Sequence, residues 1–185
     1  MVDRFASRRR LIARAGRYAF LAVLTISGAR GVSAPGVDNF HQVNDHLYRG
    51  AQPTEHGFRS LAQLGVRTVV DLRIPEERSN EEQKVVKSLG MHYVHIPVKG
   101  RRFPTDAEVQ KTLAILNDAS AWPVFVHCRE GKDRTGTMIA CYRVAHDQWT
   151  NMRALAEAKS YGMHKVERAM QEYILHFQPR SVLSP

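Results

Sequence analysis

The sequence predicts an α/β fold with a central, mostly parallel sheet of about four to five strands flanked by helices. Three observations carry this expectation. Short β-branched or alternating runs recur at 40–49, 66–72, 91–98 and 123–127. Beyond residue 50, helical stretches separate them, which is the pattern of strand–helix–strand units. The run Val66-Arg67-Thr68-Val69-Val70-Asp71-Leu72 is β-branched enough for a strand covered on both faces. Length and composition agree. A chain of 185 residues, 43% hydrophobic and 24% charged, suits one globular domain with a core and excludes a disordered tail, a collagen-like chain or a coiled coil. Two cysteines, Cys128 and Cys141, are too few for a disulfide scaffold or a four-thiolate zinc site.

Taken in order, 40–43 and 46–49 read as two short strands, with Asn44-Asp45 as the turn between them. Thr54 caps a helix over 55–64 that ends at Gly65. After the strand at 66–72, residues 76–89 form a charged amphipathic helix ended by Gly90. Residues 91–98 alternate as a strand. Thr105 and Glu108 make a capping box for a helix running to about 119. Pro123 to His127 is a short apolar strand. Helices are expected over 135–149, 151–161 and 165–177, with Gly162 separating the last two. These last helices are expected to pack together on one side of a single domain spanning 35–185.

The first 34 residues read as an address. They hold seven arginines against one acid, Asp3, while the other 151 residues hold 20 basic and 17 acidic side chains. The net charge of +9 therefore describes mainly this end, and a nucleic-acid partner loses most of its support. Ser7-Arg8-Arg9-Arg10 begins a basic part, Tyr18 to Ala29 is apolar, and Val32-Ser33-Ala34 are small. This is the layout of an exported protein's signal peptide, and an uncleaved N-terminal anchor associating with the membrane through residues 8–30 is the alternative, since Pro35 disfavours cleavage after Ala34. Either implies a periplasmic location or one on the outer face of a bacterial inner membrane.

The chemistry concentrates in His127-Cys128-Arg129-Glu130-Gly131-Lys132-Asp133-Arg134-Thr135-Gly136, between a strand and the helix after it. In open α/β sheets ligands bind beyond the carboxyl ends of strands. Amides at the following helix start are unpaired, and the helix dipole adds positive charge. Gly131 allows the tight curl that a cradle of amides requires. A thiol at the base of that cradle is stabilised as thiolate by the same donors, so Cys128 is a candidate nucleophile. Arg134 offers a planar fork for two phosphate oxygens. Arg129, Glu130, Gly131 and Lys132 would line the bound phosphoryl group. Thr135 is placed to hydrogen-bond the sulfur as it departs from a cysteinyl-phosphate. Cys141, mid-helix among apolar residues, reads as core.

His-Cys-x5-Arg-Thr-Gly resembles the signature of cysteine-dependent protein tyrosine and dual-specificity phosphatases. Leu47-Tyr48-Arg49-Gly50-Ala51-Gln52-Pro53, then Leu64 to Arg73, Trp149 and Glu157-Ala158-Lys159-Ser160-Tyr161-Gly162, are similar to the compact atypical dual-specificity members of plants, fungi and bacteria, over about residues 38–178. The resemblance implies a cysteine-phosphatase fold, metal-independent hydrolysis of phosphomonoesters and no cofactor. In such enzymes an Asp on the loop before the helix that precedes the catalytic strand usually protonates the leaving oxygen. Here that loop reads Lys99-Gly100-Arg101-Arg102-Phe103-Pro104-Thr105-Asp106, and its tip is basic. Asp106 is its first carboxylate, in a position that also serves the helix start. Asp133 competes for the role, because myotubularin-type and several bacterial lipid-phosphatase loops carry Asp in the same place before the arginine. Both remain open as the acid. Arg102, with Lys99 and Arg101, is a candidate second phosphate contact. Arg49 and Arg73 either face the cleft or pair with Asp71 and Glu76. His127 is expected to brace the loop from the opposite face of the strand.

Three functions follow as expectations. The first is a protein tyrosine or dual-specificity phosphatase. The second is a phosphoinositide, inositol phosphate or phospholipid-headgroup phosphatase of the same mechanism. The third is an inactive phosphate-binding module.

Overall fold

The computed structural model describes residues 32–75 and 79–179. The basic and apolar part of the N-terminal address, up to residue 31, lies outside them, as does the expected start of the second helix at 76–78. Among the described residues the strands are β1 (His41–Asn44), β2 (Leu47–Gly50), β3 (Thr68–Asp71), β4 (His92–His95) and β5 (Val124–His127). The helices are α1 (Glu55–Gln63), α2 (Ser79–Ser88), α3 (Asp106–Leu116), α4 (Asp133–Ala145), α5 (Asn151–Ser160) and α6 (Arg168–His176). The sheet runs β1-β2-β5-β3-β4, with β1 antiparallel to β2 and every other pair parallel. This is the α/β class expected, with five strands.

Each strand alternates its two faces. Leu47, Val70, Val124, Val126 and Cys128 join the core beneath α3, α4 and α6, with Leu113, Met138, Tyr142 and Met170. Tyr48, Val69 and Phe125 pack on the other side against Phe58 and Leu61 of α1 and Val86 of α2. Local signals start the helices. Thr54 Oγ1 accepts the Gly57 N–H at 3.1 Å. The capping box at α3 is complete, with Glu108 N–H donating to Thr105 Oγ1 at 3.2 Å and Thr105 N–H donating to Glu108 Oε2 at 2.7 Å.

The ends differ more than the starts. α3 stops at Leu116 because Asn117 Nδ2 donates back to the Leu113 carbonyl at 2.8 Å, and Asp118 caps a separate 3₁₀ turn, Ala119–Ala121. α4 stops at Ala145 rather than 149. Gln148 turns the chain with φ +57°, and Trp149 folds back under Arg143, whose guanidinium lies 4.5 Å from the ring centroid. α4 also starts two residues earlier than the sequence suggested, which places Asp133 and Arg134 in its first turn.

The parallel register aligns Gly50, His127 and Asp71 at the carboxyl edge of three adjacent strands. The loop after β5 therefore leaves from the centre of the sheet.

Candidate active site

Cys128 follows the central strand and is 2% exposed. His127 points the other way, as expected. Its Nε2 sits 2.7 Å from Glu82 Oε1, and its Nδ1 lies 3.3 Å from the Cys128 carbonyl oxygen. Glu82 in turn binds Arg73, which also grips Asp71 at 2.7 Å, and Tyr93 Oη donates to Asp71 at 2.7 Å. Burial would raise the Asp71 carboxyl, but Arg73, His127 and Tyr93 outweigh it and hold it below the ordinary range. Asp71, Glu82 and His127 bring potential metal-ligating atoms within 4.8 Å of one another, but Arg73 already supplies the cation between the two carboxylates. Of the pairing expected for Arg73, Asp71 is found, and Glu82 is the second acid.

The loop from Cys128 to Asp133 is gripped from outside, carbonyl by carbonyl. Gln52 N–H donates to the Arg129 carbonyl at 3.2 Å. Asn39 Nδ2 donates to the carbonyls of Glu130 at 3.4 Å and Gly131 at 3.1 Å. Arg49 Nη2 donates to the Gly131 carbonyl at 2.7 Å. In a trans peptide the carbonyl and the next residue's N–H point to opposite sides. Three carbonyls held outward therefore turn the amides of Glu130, Gly131 and Lys132 toward the loop's concave side. The first-turn amides of α4 add to them, with the positive end of the helix dipole. Gly131 has φ +68° and lies against the backbone of Gly50 and Ala51, where a side chain has no room. Thr135 Oγ1 is buried with no hydrogen-bond partner among the described residues. Amides turned inward, the start of α4, the Cys128 thiol and Arg134 as the second residue of α4 are together suited to holding an anion.

The rim is charge-paired. Lys132 Nζ lies 3.1 Å from Glu130 Oε2, and this bond lowers the Glu130 carboxyl's pKa. Asp133 accepts from the backbone N–H of His164 at 2.7 Å and lies 2.8 Å from its Nδ1. That hydrogen bond and the Asp133 charge raise the His164 pKa. Asp106 and Arg102 sit apart from this loop. Asp106 accepts from Tyr173 Oη at 2.8 Å and shares a surface cavity of about 430 Å³ with Phe103, Glu172 and His176. Arg102 is exposed beside Lys99, Phe103 and Glu108, and the neighbouring Arg101 N–H donates to Glu167 Oε2 at 3.0 Å. Cys141 is fully buried, and burial, then Asp106, raises its thiol.

Four residues escaped the sequence reading in these roles. Arg49 donates to the Gly131 carbonyl of the loop rather than to Asp71, and Glu76 lies outside the described residues. Asn39 and Tyr161 complete the outer grip, since Asn39 Nδ2 also donates to the Tyr161 carbonyl at 3.1 Å. His164 holds Asp133. Only Asn39 carried a local signal, an Asp-Asn pair before a strand, which suits its left-handed φ of +49°.

A family model described as "DSP-PTPase phosphatase fused to NAD+ Kinase" matches residues 32–176. The chain belongs to this phosphatase family. It is a cysteine-dependent phosphatase of the dual-specificity and tyrosine type. Inositol diphosphatase DSP2 of Oryza sativa is 27% identical over 178 residues, covering 92% of this chain and 85% of that protein. Dual specificity protein phosphatase TpbA of Pseudomonas aeruginosa is 33% identical over 125 residues, covering 67% of this chain and 55% of that protein. The crystal structure of P. aeruginosa TpbA superposes with a TM-score of 0.69 at 26% identity, covering 82% of this phosphatase and 92% of that chain. The core catalytic domain of the PP-IP phosphatase SIW14 from S. cerevisiae, solved with citrate, shares the fold at a TM-score of 0.72 and 24% identity, covering 81% and 91%.

Proposed function

We propose that this phosphatase acts on phosphotyrosine in proteins, through a phosphoryl group carried on Cys128. The observation that supports this substrate class is the pairing of charges around the cradle. Lys132 is answered by Glu130 and His164 by Asp133. A cradle for one phosphoryl group within a nearly neutral rim suits a monoester on an uncharged aryl group. A polyphosphorylated ring would meet two carboxylates at that rim.

The thiolate of Cys128 attacks phosphorus in line, and the P–O bond to the tyrosyl oxygen breaks. Arg134 and the inward amides hold the three equatorial oxygens. Asp133, taking up the proton it shares with the His164 imidazole 2.8 Å away, gives it to the leaving phenoxide. Water then attacks the cysteinyl-phosphate, Asp133 takes its proton back, and the sulfur leaves as thiolate, helped by a hydrogen bond from the Thr135 hydroxyl. His164, hydrogen-bonded to Asp133, connects that carboxyl to solvent. Asp106, bound to Tyr173 on α6, serves the start of α3.

A second reading has one observation in its favour. Lys99, Arg101 and Arg102 are exposed on one loop and offer a basic surface for an inositol phosphate.

The test compares kcat/KM on a phosphotyrosine peptide and on an inositol pyrophosphate, using the full chain. Preference for the peptide by about tenfold or more, a difference of roughly 1.4 kcal/mol in transition-state binding, is expected. Preference for the inositol compound would reverse the assignment. Cys128→Ser is expected to abolish both activities, by on the order of 10³-fold or more. Asp133→Asn is expected to cost about 10²–10⁴-fold on phenyl phosphate and far less on p-nitrophenyl phosphate, whose leaving group needs no proton. Equal losses would remove Asp133 as the acid.

A further inference from the structure

Arg49 sits near the end of β2, in register with Val126 of β5 and, through it, with Val70 of β3. It is 0% exposed. One of its nitrogens, Nη2, donates to the Gly131 carbonyl at 2.7 Å, and its face lies 4.6 Å from the centroid of the Tyr161 ring. Its Nε and Nη1 are buried with no hydrogen-bond partner among the described residues.

For stability this is a poor bargain. A charge wholly removed from water, with two idle donors, costs free energy that one hydrogen bond and one ring contact do not return. Burial holds the guanidinium pKa down to about 10, while the anionic forms of Glu157, Tyr161 and Cys128 oppose that fall. The sulfur is thus within electrostatic reach of a cation behind the loop. An apolar side chain would fill the same space between Val126 and the α4–α5 layer without the desolvation.

We infer that Arg49 is a positioning residue for phosphoryl transfer, holding the Gly131 carbonyl outward so that the Lys132 amide faces the phosphoryl oxygens. Asn39 shares the grip on that carbonyl, but its amide is spread over three acceptors at 3.1 to 3.4 Å. Arg49 makes the short, charge-assisted bond. The inference rests on the cysteine-phosphatase activity and not on the preferred ester.

The experiment uses full-length Arg49→Met and Arg49→Lys. Three quantities are read: the thermal midpoint, kcat and KM on p-nitrophenyl phosphate, and the affinity for inorganic phosphate by calorimetry. Arg49→Met is expected to melt at or above the wild-type temperature, to bind phosphate about tenfold more weakly, and to lose about 10²-fold in kcat as the amides lose register. Arg49→Lys, with one donor able to reach Gly131, is expected to recover most of the phosphate affinity. Three results would overturn the inference. One is an Arg49→Met protein that melts well below wild type or fails to fold, which would make Arg49 structural. Another is phosphate affinity and kcat within threefold of wild type. The third is a lysine variant no better than methionine. If phosphate affinity shifts as expected while the wild type turns over no ester, Arg49 still shapes an anion site, but the hydrolase reading falls and with it the role in phosphoryl transfer.

Discussion

At Gly131 the loop after β5 touches the end of β2 with no side chain between them. A Cβ there would lie 2.5 Å from the Ala51 nitrogen and closer still to the Gly50 carbonyl, all of it backbone that cannot swing aside. Gly131→Ala also forces a Cβ into a left-handed φ, costing about 1–2 kcal/mol. Overpacking adds about 1–3 kcal/mol. The expected outcome is a fall in thermal midpoint on the order of 10 °C, together with loss of phosphate binding, because the loop relieves the clash by moving away from Arg49 and Gln52. An alanine variant with wild-type melting and activity would mean that the loop has more freedom than this contact allows. The two cysteines show how far a residue's surroundings decide its chemistry. Cys128 and Cys141 are both buried, but Cys128 follows the central strand and opens the loop that leads into α4, while Cys141 lies within α4. That contrast was legible from the neighbours of each residue in the sequence, because it is local. The outer grip was not, since Asn39 reaches Glu130 across 91 positions.

Between elements, the turn joining α5 to α6 is tied to the start of α4 by Asp133 and His164. The pair adds a pH dependence whose sign is set by the imidazole. Asp133 raises the His164 pKa above its unfolded value of 6.5. The pair's contribution is therefore fully present below that value and is lost as pH rises through the higher folded one. His164 is 44% exposed on its side chain, so solvent screens the pair and the effect is about 0.2–1 kcal/mol, or roughly 1–3 °C. Thermal midpoints of wild type and His164→Ala are expected to converge between pH 6 and pH 9. Parallel curves over that range would show that the backbone N–H of His164, which the substitution keeps, supplies the whole tie. The elements themselves were largely readable. Caps at Thr54 and Thr105 and turn glycines at 65 and 90 mark boundaries through contacts three or four residues long. The end of α4 was not readable, because it depends on Trp149 packing under both Arg143 and Arg153.

For the molecule as a whole, the order β1-β2-β5-β3-β4 makes the strand bearing the nucleophile central and brings the N-terminal hairpin beside it. The strand–helix alternation announced such a sheet, but no sequence pattern states which strands become neighbours. That neighbourhood gives residues 34–39 a role beyond the address expected for 1–34. Ala34 and Val37 are 5% and 8% exposed and join the core with Phe58 and Phe125. The Pro35 carbonyl accepts from Ser60 Oγ at 2.9 Å, and the Gly36 carbonyl accepts from the Thr54 N–H at 2.9 Å. Asn39 then reaches the loop. A chain beginning at Val32 keeps all of these contacts and is expected to match the full chain in kcat and thermal midpoint. A chain beginning at Phe40 removes a buried valine, worth about 1.5–3 kcal/mol, with the hydrogen bonds that close α1 against it. It also strips Asn39 from the Glu130 and Gly131 carbonyls. Its melting temperature is expected to fall by about 5–10 °C, and its phosphate affinity to fall further than stability alone explains, since the loop loses one of its outer anchors. If the shorter chain bound phosphate as tightly as the longer one, the cradle would owe its shape to Arg49 and Gln52 without Asn39. If the chain from Val32 itself failed to fold, the body bounded by residues 32 and 179 would not be the folding unit.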